Sequence, residues 1–120
     1  MPSKFHIEQA DRSGARVLAL DGFLDAHTAP QFEKVIEDNL KAGRVWLIVD
    51  CARLTYISSA GLGVFMSFLE EIREQGGDLK VASLDDNVYQ VFDVLGFPAL
   101  LDIQPTVEAA AARFTEGEGA

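Results

Sequence analysis

Cysteine and histidine are scarce in this sequence, which limits the chemistry it can perform. Cys51 is the only cysteine, so no disulfide can form within the chain. It follows an apolar run, a position typical of a buried structural thiol, and we predict no reactivity there. His6 and His27 stand apart from each other and from Cys51. Because the Cys/His spacing of a zinc site is missing, we predict neither a metal nor another cofactor.

Basic residues and long apolar segments are also in short supply. Ten Lys and Arg residues face nineteen Asp and Glu residues, which gives a net charge of −9. Phosphate backbones and anionic lipid headgroups repel such a chain, so we expect no direct binding to nucleic acid or membranes, and a basic protein is the better partner. No apolar stretch approaches the roughly 20 residues that cross a bilayer, and the N-terminus lacks a secretory signal pattern. We therefore expect a cytoplasmic protein.

The motifs of common enzymes are missing as well. The sequence contains no glycine-rich loop ending in Lys-Ser/Thr, the motif that binds nucleotide phosphates. A hydrolase nucleophile elbow needs glycine two residues before its serine, but Ile57 stands two residues before Ser59. Both histidines precede Ser59, which leaves it without an obvious base. A triad with another residue order stays an alternative, but we predict a protein without enzymatic activity.

The chain does have enough apolar residues for one hydrophobic core. Of its 120 residues, 48% are hydrophobic, which predicts a single domain. We place this domain at residues 1–114 and expect a flexible acidic tail at residues 115–120. Short apolar runs predict strands at residues 5–10, 15–21, 45–50, 79–82 and 100–103.

Helices are predicted between these strands, where apolar residues recur at three- and four-residue spacing. We expect Thr28 to cap the first helix and Thr106 the last. The third helix is predicted at residues 86–95, and the second follows a pair of serines and ends at Gly76-Gly77. An opening hairpin followed by this alternation predicts an α/β fold, with a mixed sheet of four to five strands packed against about four helices.

Asp50 lies at the end of the third predicted strand, which allows two interpretations. The phospho-acceptor of a response-regulator receiver occupies such a position. A receiver also needs paired acidic residues after its first strand and a lysine late in the chain, but the last lysine here is Lys80. We interpret Asp50 as a residue that caps a turn at the strand end, with a receiver-like phosphoprotein as the alternative.

Residues 57–63, Ile-Ser-Ser-Ala-Gly-Leu-Gly, place two serines where a buried strand gives way to an amphipathic helix. One hydroxyl is expected to cap the helix, because the first backbone amides of a helix lack partners. The exposed side of this helix carries Ser67, Glu70 and Glu71, which form either part of a docking surface or a solvated face.

Three segments in order resemble the STAS-domain anti-sigma factor antagonists: residues 22–28, residues 54–63 and Gly76-Gly77. The resemblance extends from about Val17 to Phe114 and implies a single STAS domain. It implies a switch protein that binds an anti-sigma factor, itself a serine kinase, while unphosphorylated, so that a sigma factor is released. Phosphorylation by that kinase ends the binding, and a serine phosphatase restores it. We expect the free protein to be a monomer.

In that family the acceptor serine stands two residues before the Gly-Leu-Gly element, a position that Ser59 matches. The resemblance further implies that Asp25 lies beside the acceptor and contacts the kinase. Family members often have Asp before the acceptor, where this chain has Ser58, which is therefore a rival acceptor; Ala60 follows Ser59 and cannot be phosphorylated. The partner-binding residues implied by the resemblance are Asp25, Thr28, Ser58, Ser59, Gly61, Leu62 and Gly63. The alternative is a STAS domain without a serine switch that acts as a constitutive scaffold or a ligand sensor.

Overall fold

Strands and helices alternate along the chain after an opening hairpin. The computed structural model describes residues 5–118, so residues 119–120 of the expected tail lie outside the described residues. The strands are β1 (His6–Arg12), β2 (Ala15–Leu24), β3 (Trp46–Ile57), β4 (Asp78–Ala82) and β5 (Ile103–Gln104). The helices are α1 (Ala29–Lys41), α2 (Ser59–Glu74), α3 (Asp86–Val94) and α4 (Val107–Glu118), with a 3₁₀ turn at Phe97–Ala99.

These strands form one mixed sheet in the order β1-β2-β3-β4-β5. The hairpin strands β1 and β2 are antiparallel, whereas β2, β3, β4 and β5 are mutually parallel. Each parallel pair is joined through a helix, as crossover connections require. The predicted α/β fold with a mixed sheet is confirmed.

One face of the sheet packs against three helices and holds most of the core. Phe32 of α1, Phe65 of α2 and Phe92 of α3 are fully buried there. Their rings meet edge to face, with centroids 5.3 Å apart for Phe32 and Phe65 and 5.5 Å apart for Phe65 and Phe92. Such pairs contribute about 0.5–1.5 kcal/mol each beyond the burial of their area. This row of rings fixes the three helices relative to one another and hence positions the loops that precede them.

The opposite face of the sheet is covered by α4. Phe114 stacks on Trp46 with ring centroids 5.0 Å apart, and the buried Lys80 ammonium lies 4.6 Å from the centre of the Phe114 ring. Lys80 is also paired with Asp78 at 2.9 Å and with Asp102 at 3.0 Å, which compensates its loss of hydration. The helix continues past Phe114 to Glu118, so the first part of the predicted tail is helical.

The ends of the first, second and fourth strands shift by one to three residues from the prediction, and two strands differ more strongly. β3 does not end at Asp50 but continues to Ile57, because β2 pairs with it as far as Leu24 across two register shifts. The Asp50 carboxylate accepts a hydrogen bond from the Ala52 amide at 3.1 Å inside the strand, so the predicted turn at Asp50 was wrong. The last strand is Ile103–Gln104 rather than residues 100–103, since the backbone before it forms the 3₁₀ turn.

Cys51 lies in the core, where only 1% of its surface is exposed. Burial, with the nearby Asp50 carboxylate adding to it, raises the pKa of the Cys51 thiol far above its ordinary value. A thiol that stays protonated is a poor nucleophile, and the predicted burial of Cys51 is confirmed.

Candidate functional site

The loop between β2 and α1 is organised by Asp25 and Thr28. The Asp25 carboxylate accepts hydrogen bonds from the backbone amides of His27 at 2.9 Å and Thr28 at 3.2 Å. The Thr28 hydroxyl donates to the Phe23 carbonyl at 2.8 Å and accepts from the Asp25 amide at 2.9 Å. Thr28 occupies the N-cap position of α1, but its side chain makes no capping bond. The prediction that its hydroxyl caps the helix was therefore wrong, because that hydroxyl ties the preceding loop together.

Ser58 closes the loop between β3 and α2. Its backbone is extended, and its Oγ accepts a hydrogen bond from the Gly61 amide at 3.3 Å. Its own amide donates to the Leu24 carbonyl at 2.9 Å. Ser58 is therefore the serine that caps the helix, and it also joins this loop to the loop that contains Asp25.

Ser59 is the first residue of α2 and is exposed. Within residues 5–118 its hydroxyl has no hydrogen-bond partner, in contrast to that of Ser58. It lies where the unpaired amides and the positive end of the helix dipole meet solvent. The structure thus separates the two serines into one that is structurally engaged and one that is accessible.

Three residues that follow on α2 have very different surroundings. A Cβ atom on Gly61 would stand 2.8 Å from the Leu24 carbonyl oxygen, so only glycine lets the two loops approach this closely. Leu62 is 2% exposed and its side chain packs in the core. Gly63 is exposed, and a Cβ atom there would meet nothing within 4 Å. Of these three residues, Gly63 leaves bare helix backbone open to a partner.

These contacts bring the predicted site residues of both loops to one end of the sheet, except that the Leu62 side chain faces the interior. Sequence reasoning missed Leu24, whose carbonyl joins the loops, since no sequence pattern marks a backbone acceptor. It also missed Asp85, whose carboxylate caps α3 by accepting from the Val88 amide at 2.8 Å. An aspartate just before an apolar-periodic segment is a recognised helix-start signal, so Asp85 could have been found.

Within residues 5–118 there is no group of three or more His, Cys, Asp or Glu side chains that could hold a metal ion. In the same part of the chain, no helix combines the length and apolar character that crossing a membrane requires. The site presents an exposed hydroxyl on a helix N-terminus, beside a loop that is closed by its own hydrogen bonds.

Sequence comparison assigns most of the chain to a known domain. The model of the STAS domain matches residues 6–110. BtrV of Bordetella bronchiseptica, a candidate anti-sigma factor antagonist, is 33% identical over 101 residues, which cover 84% of this chain and 87% of BtrV. The anti-sigma-B factor antagonist of Listeria monocytogenes is 28% identical over 83 residues, covering 69% of this chain and 73% of that protein.

Solved structures show the same fold. An anti-sigma factor antagonist from Mycobacterium paratuberculosis superposes with a TM-score of 0.85 at 20% identity, covering 94% of this chain and 96% of that one. The unphosphorylated form of the anti-sigma factor antagonist SpoIIAA of Bacillus gives a TM-score of 0.70 at 22% identity, covering 94% and 98%. With the domain match and the relationship to BtrV, this likeness shows that the chain belongs to the STAS-domain family of anti-sigma factor antagonists.

Proposed function

We propose that this protein, while unphosphorylated, binds an anti-sigma factor that is also a serine kinase and thereby releases a sigma factor. Phosphorylation of Ser59 by that kinase ends the binding, and a serine phosphatase restores it. In this scheme the protein acts in the cytoplasm, is a monomer when free, and catalyses no reaction itself. The observation that carries the proposal is the exposed Ser59 hydroxyl at the start of α2, which has no hydrogen-bond partner among residues 5–118.

The contrast between the serines supports Ser59 over Ser58 as the acceptor. Ser58 is half-buried, and both its Oγ and its amide are engaged, with Gly61 and Leu24 respectively. Phosphate transfer to Ser58 would disturb a helix cap that is typically worth about 1 kcal/mol. Transfer to Ser59 breaks no hydrogen bond of the described residues, so it requires no local opening.

A phosphate at Ser59 is compatible with the fold. It would add about −1.5 to −2 charges at neutral pH. The helix dipole and the unpaired amides of the first turn favour an anion there, with a typical stabilisation of about 0.3–1 kcal/mol. The modified domain should therefore remain folded, which is what a reversible switch requires.

The same phosphate would weaken a complex formed around the bare hydroxyl. Its charge and bulk would have to be desolvated at the centre of the contact surface. A loss of 3 kcal/mol corresponds to an affinity that is weaker by about 150-fold, which is enough to separate a bound state from a free one.

The loop that contains Asp25 lies beside the start of α2 and forms a second part of the proposed contact surface. The Asp25 oxygen that accepts from the His27 and Thr28 amides keeps the loop rigid, while the second oxygen, Oδ2, takes part in none of these bonds. The Ser58–Leu24 hydrogen bond holds this loop against the start of α2. In the proposal, a partner that covers Ser59 and Gly63 also touches the Asp25 loop.

A kinase assay tests the acceptor assignment. Each anti-sigma factor with a kinase domain encoded in the source genome is purified and incubated with the protein and ATP, and the product is mapped by mass spectrometry. We expect one phosphate, on Ser59, in the parent protein and in Ser58→Ala, and none in Ser59→Ala. Phosphate on Ser58 alone, or no phosphate with any of these kinases, contradicts the proposal.

A binding assay tests the switch itself. Ser59→Asp should give the circular dichroism spectrum of the folded parent yet lose affinity for the anti-sigma factor, whereas Ser59→Ala should bind and resist inactivation by ATP. If both variants bind as the parent does and leave sigma-dependent transcription unchanged, the protein is a constitutive scaffold instead.

A further inference from the structure

The exposed side of α2 continues well beyond the serine site. Ser59, Gly63, Met66 and Glu70 follow one another at steps of four, three and four residues, so they share one side of the helix. All four are exposed. With a rise of about 1.5 Å per residue, Glu70 lies about 16 Å along the helix from Ser59. A partner that docks on Ser59 and Gly63 can therefore extend along α2.

A groove opens at the far end of this side. It has a volume of about 500 Å³ and is lined by Met66, Leu69, Glu70, Arg73, Glu74 and Leu100. Leu69 is only 4% exposed and forms its floor, whereas Met66 and Leu100 expose 39% and 44% of their surfaces. Large apolar side chains left this open beside one another mark a potential contact point.

Arg73 fixes the wall of the groove. Its Nη2 donates to the Leu100 carbonyl at 2.8 Å, and its Nε donates to the Asp78 carboxylate at 2.9 Å. The segment that carries Leu100 is thereby held against α2 in the free protein. A groove that exists before binding costs little conformational entropy when it is filled.

The rim of the groove is acidic. Glu70 and Glu74 are exposed, and neither carboxylate has an ion-pair partner within residues 5–118. They are four residues apart on the helix, where like charges repel. The neighbouring Arg73 guanidinium contacts Asp78 and Leu100 instead. Together with the net charge of −9, this arrangement favours a partner that brings basic side chains to the rim.

We propose that this groove, defined by Met66, Leu69 and Leu100 with Glu70 and Glu74 at its rim, is a second docking point for the anti-sigma factor. It receives an apolar side chain of the partner that is flanked by Lys or Arg residues. The inference rests on the proposed function, because the groove and Ser59 share one side of α2. The apolar side chain of the partner, once buried in the groove, slows dissociation of the complex, and the acidic rim speeds association by attracting the basic residues of the partner.

The separation of the two points has a consequence for the switch. A phosphate on Ser59 leaves the groove unchanged, since Met66 at its near edge lies about 10 Å along the helix from Ser59 and Glu70 about 16 Å. Substitutions at the groove and at Ser59 should therefore weaken binding independently, because effects at sites more than about 10 Å apart usually add.

A double variant tests the apolar part of the groove by surface plasmon resonance with the purified anti-sigma factor. Met66→Ser combined with Leu100→Ser should raise Kd about tenfold to hundredfold, mainly through faster dissociation. Val94→Ser on α3 is the matched control: Val94 is 82% exposed and does not line the groove. It should leave Kd within about twofold, as expected for a residue outside the interface core.

The acidic rim has its own variant and control. Glu70→Lys combined with Glu74→Lys should lower the association rate about tenfold at low salt, with a smaller difference at high salt. Glu8→Lys combined with Asp11→Lys on β1 changes the net charge equally, and the same salt series should show little effect. The four substituted carboxylates are exposed, so these charge variants should remain folded. They therefore test the groove even if the apolar double variant loses stability.

The outcomes separate the two proposals. If Ser59→Asp abolishes binding but both groove variants bind like the parent, the groove is not a docking point and the switch stands. If the parent protein binds none of the anti-sigma factors, the proposed function fails and the groove proposal fails with it.

Discussion

Gly61 and Gly63 lie two residues apart on the first turns of α2, yet replacing each with alanine should change stability in opposite directions. Alanine is intrinsically favoured over glycine in a helix by about 0.5–1 kcal/mol, so both substitutions gain this amount. What differs is the space around the new methyl group.

At Gly61 the methyl group would stand 2.8 Å from both the carbonyl oxygen and Cγ of Leu24 and 3.0 Å from Ile57. The Leu24 carbonyl cannot easily move, because it accepts the hydrogen bond from the Ser58 amide. Overpacking of this kind typically costs about 1–3 kcal/mol. After the intrinsic gain is subtracted, Gly61→Ala should destabilise the protein by about 1 kcal/mol at the middle of these ranges and by up to about 2.5 kcal/mol.

At Gly63 the methyl group would meet nothing within 4 Å. Gly63→Ala should therefore stabilise the free protein by about 0.5–1 kcal/mol and raise Tm by about 2–5 °C. If Gly63 contacts the anti-sigma factor, the same methyl group should lower the affinity about 5- to 150-fold, as overpacking by 1–3 kcal/mol implies.

Thermal and denaturant unfolding followed by circular dichroism measure the stability of both variants, and titration calorimetry measures binding to the anti-sigma factor. A variant that is more stable and yet binds less well cannot owe its defect to misfolding. Equal signs for the two stability changes would refute the reasoning from local space, and undiminished binding by Gly63→Ala would remove Gly63 from the contact surface.

Three further substitutions test other contacts. Ser58→Ala should lower the free energy of unfolding by about 1 kcal/mol through loss of the helix cap, as measured by denaturant titration. Desolvation opposes ionisation of Asp102, but hydrogen bonds from Gln104 and the Lys80 ammonium, among others, lower its pKa. Its contribution to stability is therefore complete above about pH 4 and lost as the pH falls further. In Asp102→Asn the free energy of unfolding should therefore decrease less steeply with falling pH, as measured by unfolding curves between about pH 5 and 2. Phe114→Leu removes the ring stacked on Trp46, the sole tryptophan, and should cost about 1 kcal/mol and shift the fluorescence emission.

The helices were predictable because their apolar residues recur with helical spacing. The spacing predicted that α2 buries Leu62, Phe65, Phe68, Leu69 and Ile72, and all of these are buried except Phe68, which is half-buried. The second half of β3 was not predictable, because Arg53, Thr55 and Tyr56 are exposed and give no sign of a buried strand. Its strand character comes from pairing with β2, a long-range interaction that local sequence does not encode.

The site was predictable in position but not in the role of each hydroxyl. The sequence placed two serines and a threonine at helix starts, where all three could serve as caps. Which hydroxyl caps depends on the backbone at that residue: Ser58 is extended with ψ 173°, whereas Thr28 is already helical with ψ −16°. Since those angles follow from how the two loops meet, the assignment required the structure.

The parallel pairing of β2 and β3 ends at Leu24 and Ile57. The hydrogen bond from the Ser58 amide to the Leu24 carbonyl extends this pairing to Ser58, the residue just before Ser59. A kinase that takes its target serine from an unfolded segment would first have to break this bond and open the sheet, at the cost of local unfolding. A short peptide with the same residues lacks the carbonyl partner and the adjoining loop. In the proposed switch, a kinase that recognises Ser59 together with the Asp25 loop acts only on the assembled domain, so that fragments and misfolded copies of the protein carry no signal.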